Sequence, residues 1–286
     1  MMPEPVLEHL AVRAGAWYAD CTFGAGGHSR LILERGGCVL AIDKDPTAEA
    51  RALAAPPLAA ALKQGRLRFA HGDFRELERL AFEQGVAVLS GALFDLGVSS
   101  MQLDEADRGF AFRHDGPLDM RMDERGESAA DVVNDYPMEE LAAILWRYGE
   151  ERHSRRIARR LVEQRAKARI ETTGQLADAV ASAYPGGPRR EHPARRSFQA
   201  LRIHVNDELG ALQEGLEAAS RVLEPDGRLV VLSYHSLEDR IVKRFLADSP
   251  RFEAITKKPL TASEAEIQAN PRARSAKLRA GRKVRP

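Results

Sequence analysis

The early part of the chain alternates short apolar runs with stretches of helical periodicity, the pattern of a parallel sheet assembled from strand-helix-strand units. Apolar runs predict strands at residues 17–21, 39–42, 67–70 and 92–95, each followed by a loop rich in Gly, Asp or Ser. Past Gln102 this rhythm stops, and helical spacing takes over at 138–148, 151–168 and 173–184, with Thr172 or Thr173 placed to cap the third. Tyr184-Pro185-Gly186-Gly187-Pro188 breaks the helical pattern, and residues 195–223 then read as one long amphipathic stretch. A turn, Glu224-Pro225-Asp226-Gly227, precedes a fifth strand at 228–233, and apolar patches at 252–255 and 276–278 predict a closing hairpin. The simplest topology inserts a helical subdomain between the fourth and fifth strands of one sheet. Residues 1–103 and 207–286 then form a discontinuous α/β domain, and 104–206 the insertion.

Length agrees, since 286 residues exceed the usual single domain and leave room for a second, smaller one. A composition of 44% hydrophobic and 30% charged residues belongs to globular chains rather than to disordered or membrane ones. No apolar run approaches the roughly 20 residues that span a bilayer, and Pro3-Glu4-Pro5 lacks the basic-then-apolar layout of a secretion signal, so a cytoplasmic location and no membrane contact are expected. Cys21 and Cys38 form neither a disulfide framework nor a zinc pattern and read as small buried residues.

Charge changes the picture more than composition does. A net charge of +1 conceals nine Arg or Lys against three Glu in residues 147–169, and seven against no acid in 270–286. Arg152, Arg155, Arg156, Arg159 and Arg160 recur at helical spacing, with Ile157, Leu161 and Val162 left for the opposite face. Such a stripe can track phosphates, although most charge runs are only solvated faces. Arg189-Arg190, Arg195-Arg196 and the tail from Arg272 to Arg285 carry the same reading with less helical support.

In open parallel sheets ligands bind beyond the carboxyl ends of the strands, so the loops there hold the candidate site. Cys21-Thr22-Phe23-Gly24-Ala25-Gly26-Gly27-His28 follows the first strand, where glycine allows backbone to approach a ligand and φ to turn positive. Asp43 ends the second strand, placed to accept hydrogen bonds from a ribose diol. This pair implies an adenosine-containing cofactor and leaves two classes open, a dinucleotide and S-adenosylmethionine. Gly24-x-Gly26-x-x-Ser29 lacks the third glycine of the dinucleotide fingerprint. His71-Gly72-Asp73-Phe74 ends the third strand, where Asp73 can hold an adenine amine and Phe74 can pack on the base. Asp95-Leu96-Gly97-Val98-Ser99-Ser100 ends the fourth, where a sulfonium is expected.

Taken with Asp115-Gly116-Pro117-Leu118-Asp119-Met120-Arg121-Met122-Asp123, Tyr148-Gly149-Glu150-Glu151-Arg152, Phe198-Gln199-Ala200-Leu201-Arg202-Ile203, His235-Ser236-Leu237-Glu238-Asp239-Arg240 and Asn270-Pro271-Arg272-Ala273-Arg274-Ser275-Ala276-Lys277-Leu278-Arg279, these motifs resemble the MraW family of small-subunit ribosomal RNA methyltransferases. The resemblance runs from about Pro5 to Arg279, in order. It implies a Rossmann-like class I methyltransferase sheet with an all-helical RNA-recognition insertion, and S-adenosyl-L-methionine as cofactor. The implied reaction is N4-methylation of a cytidine in the decoding region of 16S ribosomal RNA, on free RNA or on the small subunit. By motif, the family's cofactor positions fall on Gly26, Gly27, His28, Asp43, Phe74, Asp95 and Gln102, and Gly24 and Asp73 join them from the residue reading. Met101 stands where the family usually has Pro, Cys21 where it often has Gly, and Tyr234 where it often has Phe.

Methyl transfer from a sulfonium is an in-line displacement that rests on alignment and calls for no metal. The obstacle is the acceptor, because a cytosine amine delocalises its lone pair into the ring. A carboxylate that accepts a hydrogen bond from that amine localises the lone pair and stabilises the developing positive charge. Asp95 is the candidate for that role, or for holding the methionine ammonium of the cofactor. Tyr234 and His235 can stack on a flipped base or take up its proton, and His235 can equally serve only to order its loop. The competing readings are an RNA-binding ribosome assembly factor without turnover, a methyltransferase acting on another substrate, and a nicotinamide dehydrogenase. The sequence leaves monomer and dimer equally open.

Overall fold

The computed structural model describes residues 1–123, 125–185 and 192–285, which leaves Arg189 and Arg190 outside the described residues. The alternating pattern folds into β1 (Trp17–Asp20), β2 (Cys38–Asp43), β3 (Leu67–His71), β4 (Leu89–Asp95) and β5 (Leu223–Ser233), followed by β6 (Phe252–Ala254), β7 (Leu260–Thr261) and β8 (Lys277–Lys283). These lie in the order β3-β2-β1-β4-β5-β8-β6, with β7 also paired to β8. Strands β1 to β5 run parallel, and β8 is antiparallel to β5, β6 and β7. This is the α/β, Rossmann-like sheet expected from the sequence.

Successive side chains of a strand point to opposite faces, and both faces here are covered. On one, Leu40, Ile42, Phe94, Leu229 and Val231 pack with Leu77, Leu80, Leu212 and Leu216. On the other, Tyr18, Val39, Leu93, Val230 and Leu232 pack with Val6, Leu10, Ile32 and Leu58. Burial on both sides explains why β4 reads as a continuous apolar run rather than an alternation. The chain winds outward from β1 through β2 to β3, and then from β4 to β5 on the other side, so the order reverses between β1 and β4.

Three details differ from the sequence reading. Glu224-Pro225-Asp226-Gly227 is no turn ahead of the fifth strand but an irregularity within it: Leu223 pairs with Leu89, the register shifts, and pairing continues at Arg228 with Gly91. The shift is accommodated by Asp226 at φ 65. The amphipathic stretch at 195–223 is two helices, Arg195–Asn206 and Glu208–Val222, parted at Asp207 with φ 44. Asn206, the last residue of the first helix, accepts from Met122 N–H and donates to the Met120 carbonyl through its side-chain amide. The two tail patches do not form a hairpin with each other: Phe252–Ala254 pairs with residues 281–283 of β8, whereas Lys277 and Leu278 pair with Thr261 and Leu260 of β7 and with the end of β5, and the helix Glu264–Ala269 lies between the patches in the chain.

The basic tail is ordered and its charges are largely met. Arg279, almost fully buried, sits 2.6 Å from Asp239. Burial alone would push the Asp239 carboxyl up, but Arg279 and then Lys277 hold it below the usual range. Arg282 pairs with Glu253 and Arg285 with Asp226, at 2.5 and 2.7 Å. The tail arginines at these three positions therefore fold the sheet edge rather than present a free cationic surface.

Two compact units result, Met1–Gly97 with Leu209–Pro286, and Val98–Glu208. The breaks fall at 97/98 and 208/209. The second unit is helical, with its own core of Phe110, Leu118, Val132, Leu141, Leu145, Ile157, Leu161, Leu176, Phe198 and Leu201. Thr172 caps the helix Thr173–Ser182 through a reciprocal box with Gln175, a device worth about 0.5–2 kcal/mol. Gly149 ends the helix Met138–Gly149, where an added Cβ would lie 2.7 Å from the Arg196 carbonyl, so this helix and Arg195–Asn206 approach more closely than any larger residue allows. Among the described residues no helix is long and apolar enough to cross a membrane.

Candidate active site

The loop after β1 is shaped by what surrounds it. Gly26 has φ +74, and a Cβ there would fall 2.7 Å from the Phe23 ring and 2.6 Å from Leu58, so only glycine fits. Gly24, at φ 54, donates its N–H to Asp43 Oδ2 at 2.7 Å. Gly27 opens the helix Gly27–Glu34 and faces open space, which leaves the backbone of this turn accessible.

Asp43 closes the next position across the sheet. Its second oxygen accepts from Asp45 N–H at 2.9 Å, and burial pushes its carboxyl up against those two hydrogen bonds. An ionised carboxylate offers about four acceptor positions, so two remain for a ligand diol. Beyond it, Asp73 caps the short helix Phe74–Glu76 by accepting from Arg75 N–H at 2.9 Å. The half-buried Phe74 ring meets Phe94 edge-on at 5.3 Å, and Gly215 makes room for it.

Asp95 ends β4 beside the order reversal. Its backbone N–H donates to Thr22 Oγ1 at 2.7 Å, which ties the β4 end to the glycine loop. Tyr234, just past β5, donates its hydroxyl to Asp95 Oδ1 at 2.5 Å, and His28 Nε2 lies 3.3 Å from Oδ2. Burial, then the Asp95 charge, pushes the Tyr234 phenol far up, so Tyr234 is a hydrogen-bond donor here and no proton acceptor. His28 Nδ1 is buried with no hydrogen-bond partner among the described residues. A buried polar atom of that kind is what a ligand's polar group satisfies.

Asp20 belongs to the same cluster and the sequence reading passed over it. It ends β1, is 1% exposed, and accepts from Ser29 Oγ at 2.7 Å, pinning the start of the helix after the glycine loop. Burial pushes its carboxyl up, and His28 opposes that shift. Its place as the last strand residue before the loop was the available signal.

His235 caps the helix Ser236–Asp248, with Nδ1 accepting from Glu238 N–H at 3.4 Å. Its Nε2 lies 3.2 Å from the Glu238 carboxylate and is buried without a hydrogen bond among the described residues. Gln102 lies in the helical unit, in a capping box with Ser99 at the start of the helix Ser100–Asp104. That box gives the turn the rigidity expected of a proline, and Met101 occupies a first-turn position where proline is tolerated.

Of the arginines, Arg155, Arg156 and Arg159 project from the exposed face of the helix Ser154–Arg165, opposite buried Ile157, Ala158 and Leu161. Arg152 precedes that helix and is exposed. Arg160 is tied to Ser182 and Glu163, at 2.8 and 3.5 Å. Arg195 and Arg196 are exposed on the first turn of their helix, with Arg196 also donating to the Glu150 carbonyl at 3.1 Å.

The ends of β3, β2, β1 and β4 therefore present Asp73, Asp43, the glycine loop and Asp95 in spatial succession. Neighbouring strands are about 4.8 Å apart, so Asp43 and Asp95 are separated by roughly 10 Å across β1. That row suits an extended ligand carrying a base, a ribose diol and a terminal amine, the outline of S-adenosylmethionine.

Comparison with known proteins agrees. A model of the MraW methylase family matches residues 1–284. The ribosomal RNA small subunit methyltransferase H of Deinococcus deserti is 54% identical over 279 residues, covering 98% of this chain and 91% of that protein. The protein of the same name from Deinococcus radiodurans is 54% identical over 281 residues, covering 98% and 87%. That from Methylobacterium nodulans is 53% identical, covering 93% and 84%. Among solved structures, a putative methyltransferase from Streptococcus mutans in complex with SAH is 10% identical, covers 99% of each chain and has a TM-score of 0.47.

Proposed function

Because the chain belongs to the MraW methylase family, we propose that it methylates small-subunit ribosomal RNA, and that its target is the exocyclic N4 amine of a cytidine in the decoding region of 16S RNA. The cofactor is S-adenosyl-L-methionine, which supplies an electrophilic methyl group. The observation that carries this reading is the Asp95 carboxylate, fixed at the end of β4 by Tyr234 and His28, in line with Asp43 across β1.

Asp43 takes the ribose diol on its two remaining acceptor positions, and the glycine loop lets the backbone of residues 24–27 lie against the ligand. Asp73 and Phe74 receive the adenine. Asp95, with one oxygen bonded to Tyr234, keeps acceptor capacity for the two amines that meet at this end of the sheet, the cofactor's α-ammonium and the target's N4. A hydrogen bond from N4 to the carboxylate draws the lone pair out of the ring and offsets the positive charge that grows on nitrogen. The helical unit binds phosphates through Arg152, Arg155, Arg156, Arg159, Arg195 and Arg196, and the sheet unit performs the transfer.

Labelled methyl transfer to small ribosomal subunits lacking the modification, followed by nucleoside mass spectrometry, tests this. Production of N4-methylcytidine is expected. No product, from a protein that binds the cofactor, would favour an RNA-binding assembly role, and a different methylated nucleoside would move the target.

A narrower result is expected at Asp43. Asp43→Ala removes the diol acceptors and the anchor of Gly24, and should weaken S-adenosylhomocysteine binding about 30-fold, the equivalent of roughly 2 kcal/mol. Titration calorimetry reads this directly. An unchanged Kd would take Asp43 out of the ligand site.

A further inference from the structure

The geometry points to Tyr234 as a positioning residue for methyl transfer, one that sets the Asp95 carboxylate for the target amine. The inference rests on the reading of Asp95 given above and adds a residue to it.

Tyr234 is itself held from behind. Its backbone N–H donates to Glu238 Oε2 at 2.8 Å, and Glu238 is 2% exposed, locked into the capping box of the helix Ser236–Asp248. The strand pairing sets the other end. Asp95 is in register with Leu232 of β5, and Leu96 N–H donates to the Leu232 carbonyl at 3.0 Å. Tyr234 therefore emerges two residues beyond the pairing partner of Asp95, where its ring lies over Gly97 and its hydroxyl reaches Oδ1.

The consequence is a carboxylate that cannot rotate freely. One oxygen accepts a hydrogen bond from the phenol at 2.5 Å and the other lies 3.3 Å from His28 Nε2, so the remaining acceptor directions are set before any ligand arrives. Charge stabilisation that needs no reorganisation during reaction is the larger part of such catalysis.

The test is Tyr234→Phe, which keeps the ring and loses only the hydroxyl, alongside Tyr234→Leu, which loses both. With Tyr234→Phe, kcat is expected to fall about tenfold, with the Kd for S-adenosylhomocysteine within about twofold of wild type and the thermal midpoint unchanged. Tyr234→Leu should show the same kinetic change with added loss of stability. An unaltered kcat in Tyr234→Phe, with loss only in Tyr234→Leu, would reduce Tyr234 to a packing residue and overturn the inference. So would a loss that falls wholly on the cofactor Kd. A wild-type protein that makes no methylated ribosomal RNA fails at the earlier step, before the variants are compared, so the two failures are distinguishable.

Discussion

Asp95→Asn is expected to lower kcat/KM for methyl transfer by about a thousandfold, in a protein that folds as the wild type does. The amide has the shape of the carboxylate, and the Tyr234 hydroxyl, now 2.5 Å from Oδ1, can still donate to it. The backbone bond from Asp95 N–H to Thr22 Oγ1 is untouched, so the glycine loop keeps its anchor. Only the negative charge goes, and half of the acceptor capacity with it. Both amines assigned to this carboxylate then lose a partner. Roughly tenfold should therefore appear in the cofactor Kd and roughly a hundredfold in kcat. Titration with S-adenosylhomocysteine and single-turnover transfer to subunits separate the two. A loss confined to Kd would assign Asp95 to the cofactor alone, and one confined to kcat would assign it to the target alone. Retention of near wild-type kcat and Kd would remove it from the reacting centre.

That Asp95 was identifiable before the fold was known follows from periodicity and position together. A buried parallel strand announces itself as an apolar run, and the polar residue that ends it stands at the ligand edge by the geometry of the sheet. Asp43 and Asp95 were legible in this way, and Asp73 stands two residues past the end of β3. Asp20 obeys the same rule and was missed because the glycine loop that follows it draws the attention, although its carboxylate fixes the helix beyond that loop through Ser29. What Tyr234 does was not legible, since its contact with Asp95 depends on the register of β5 against β4, which local sequence does not encode.

Misreadings elsewhere have the same origin. The break comes at Asp207, which follows a helix end whose Asn206 bonds to Met120 and Met122, partners distant in the chain. Met120 is held at φ 64, an uncommon conformation for a non-glycine residue, and the surrounding motif is bound up in sustaining it, with Asp119 gripping Arg121 at 2.7 Å. The motif at 115–123 is thus spent on folding the helical unit. Net sequence charge likewise could not separate the tail arginines at 279, 282 and 285, which are paired, from those on the helix Ser154–Arg165.

That separation underlies the second large effect. The double reversal Arg155→Glu, Arg156→Glu should weaken binding to ribosomal RNA roughly a hundredfold at low salt, while leaving the Kd for S-adenosylhomocysteine unchanged. Both side chains are exposed, and the helix is held by Ile157, Ala158 and Leu161 on its buried face, so the substitution spares its packing. Each phosphate contact releases a condensed counterion, and loss of two contacts should make the slope of log K against log salt shallower by about 1.4 on single-stranded RNA. Arg160→Glu supplies the contrast. Arg160 is already engaged by Ser182 and Glu163, so its reversal should cost the helical unit some stability and change the salt slope less. Binding measured across a salt series on a 16S fragment decides it. An unchanged slope in the double variant would place the RNA on another surface, whereas parallel loss of RNA and cofactor binding would indicate damage to the fold rather than to an interface.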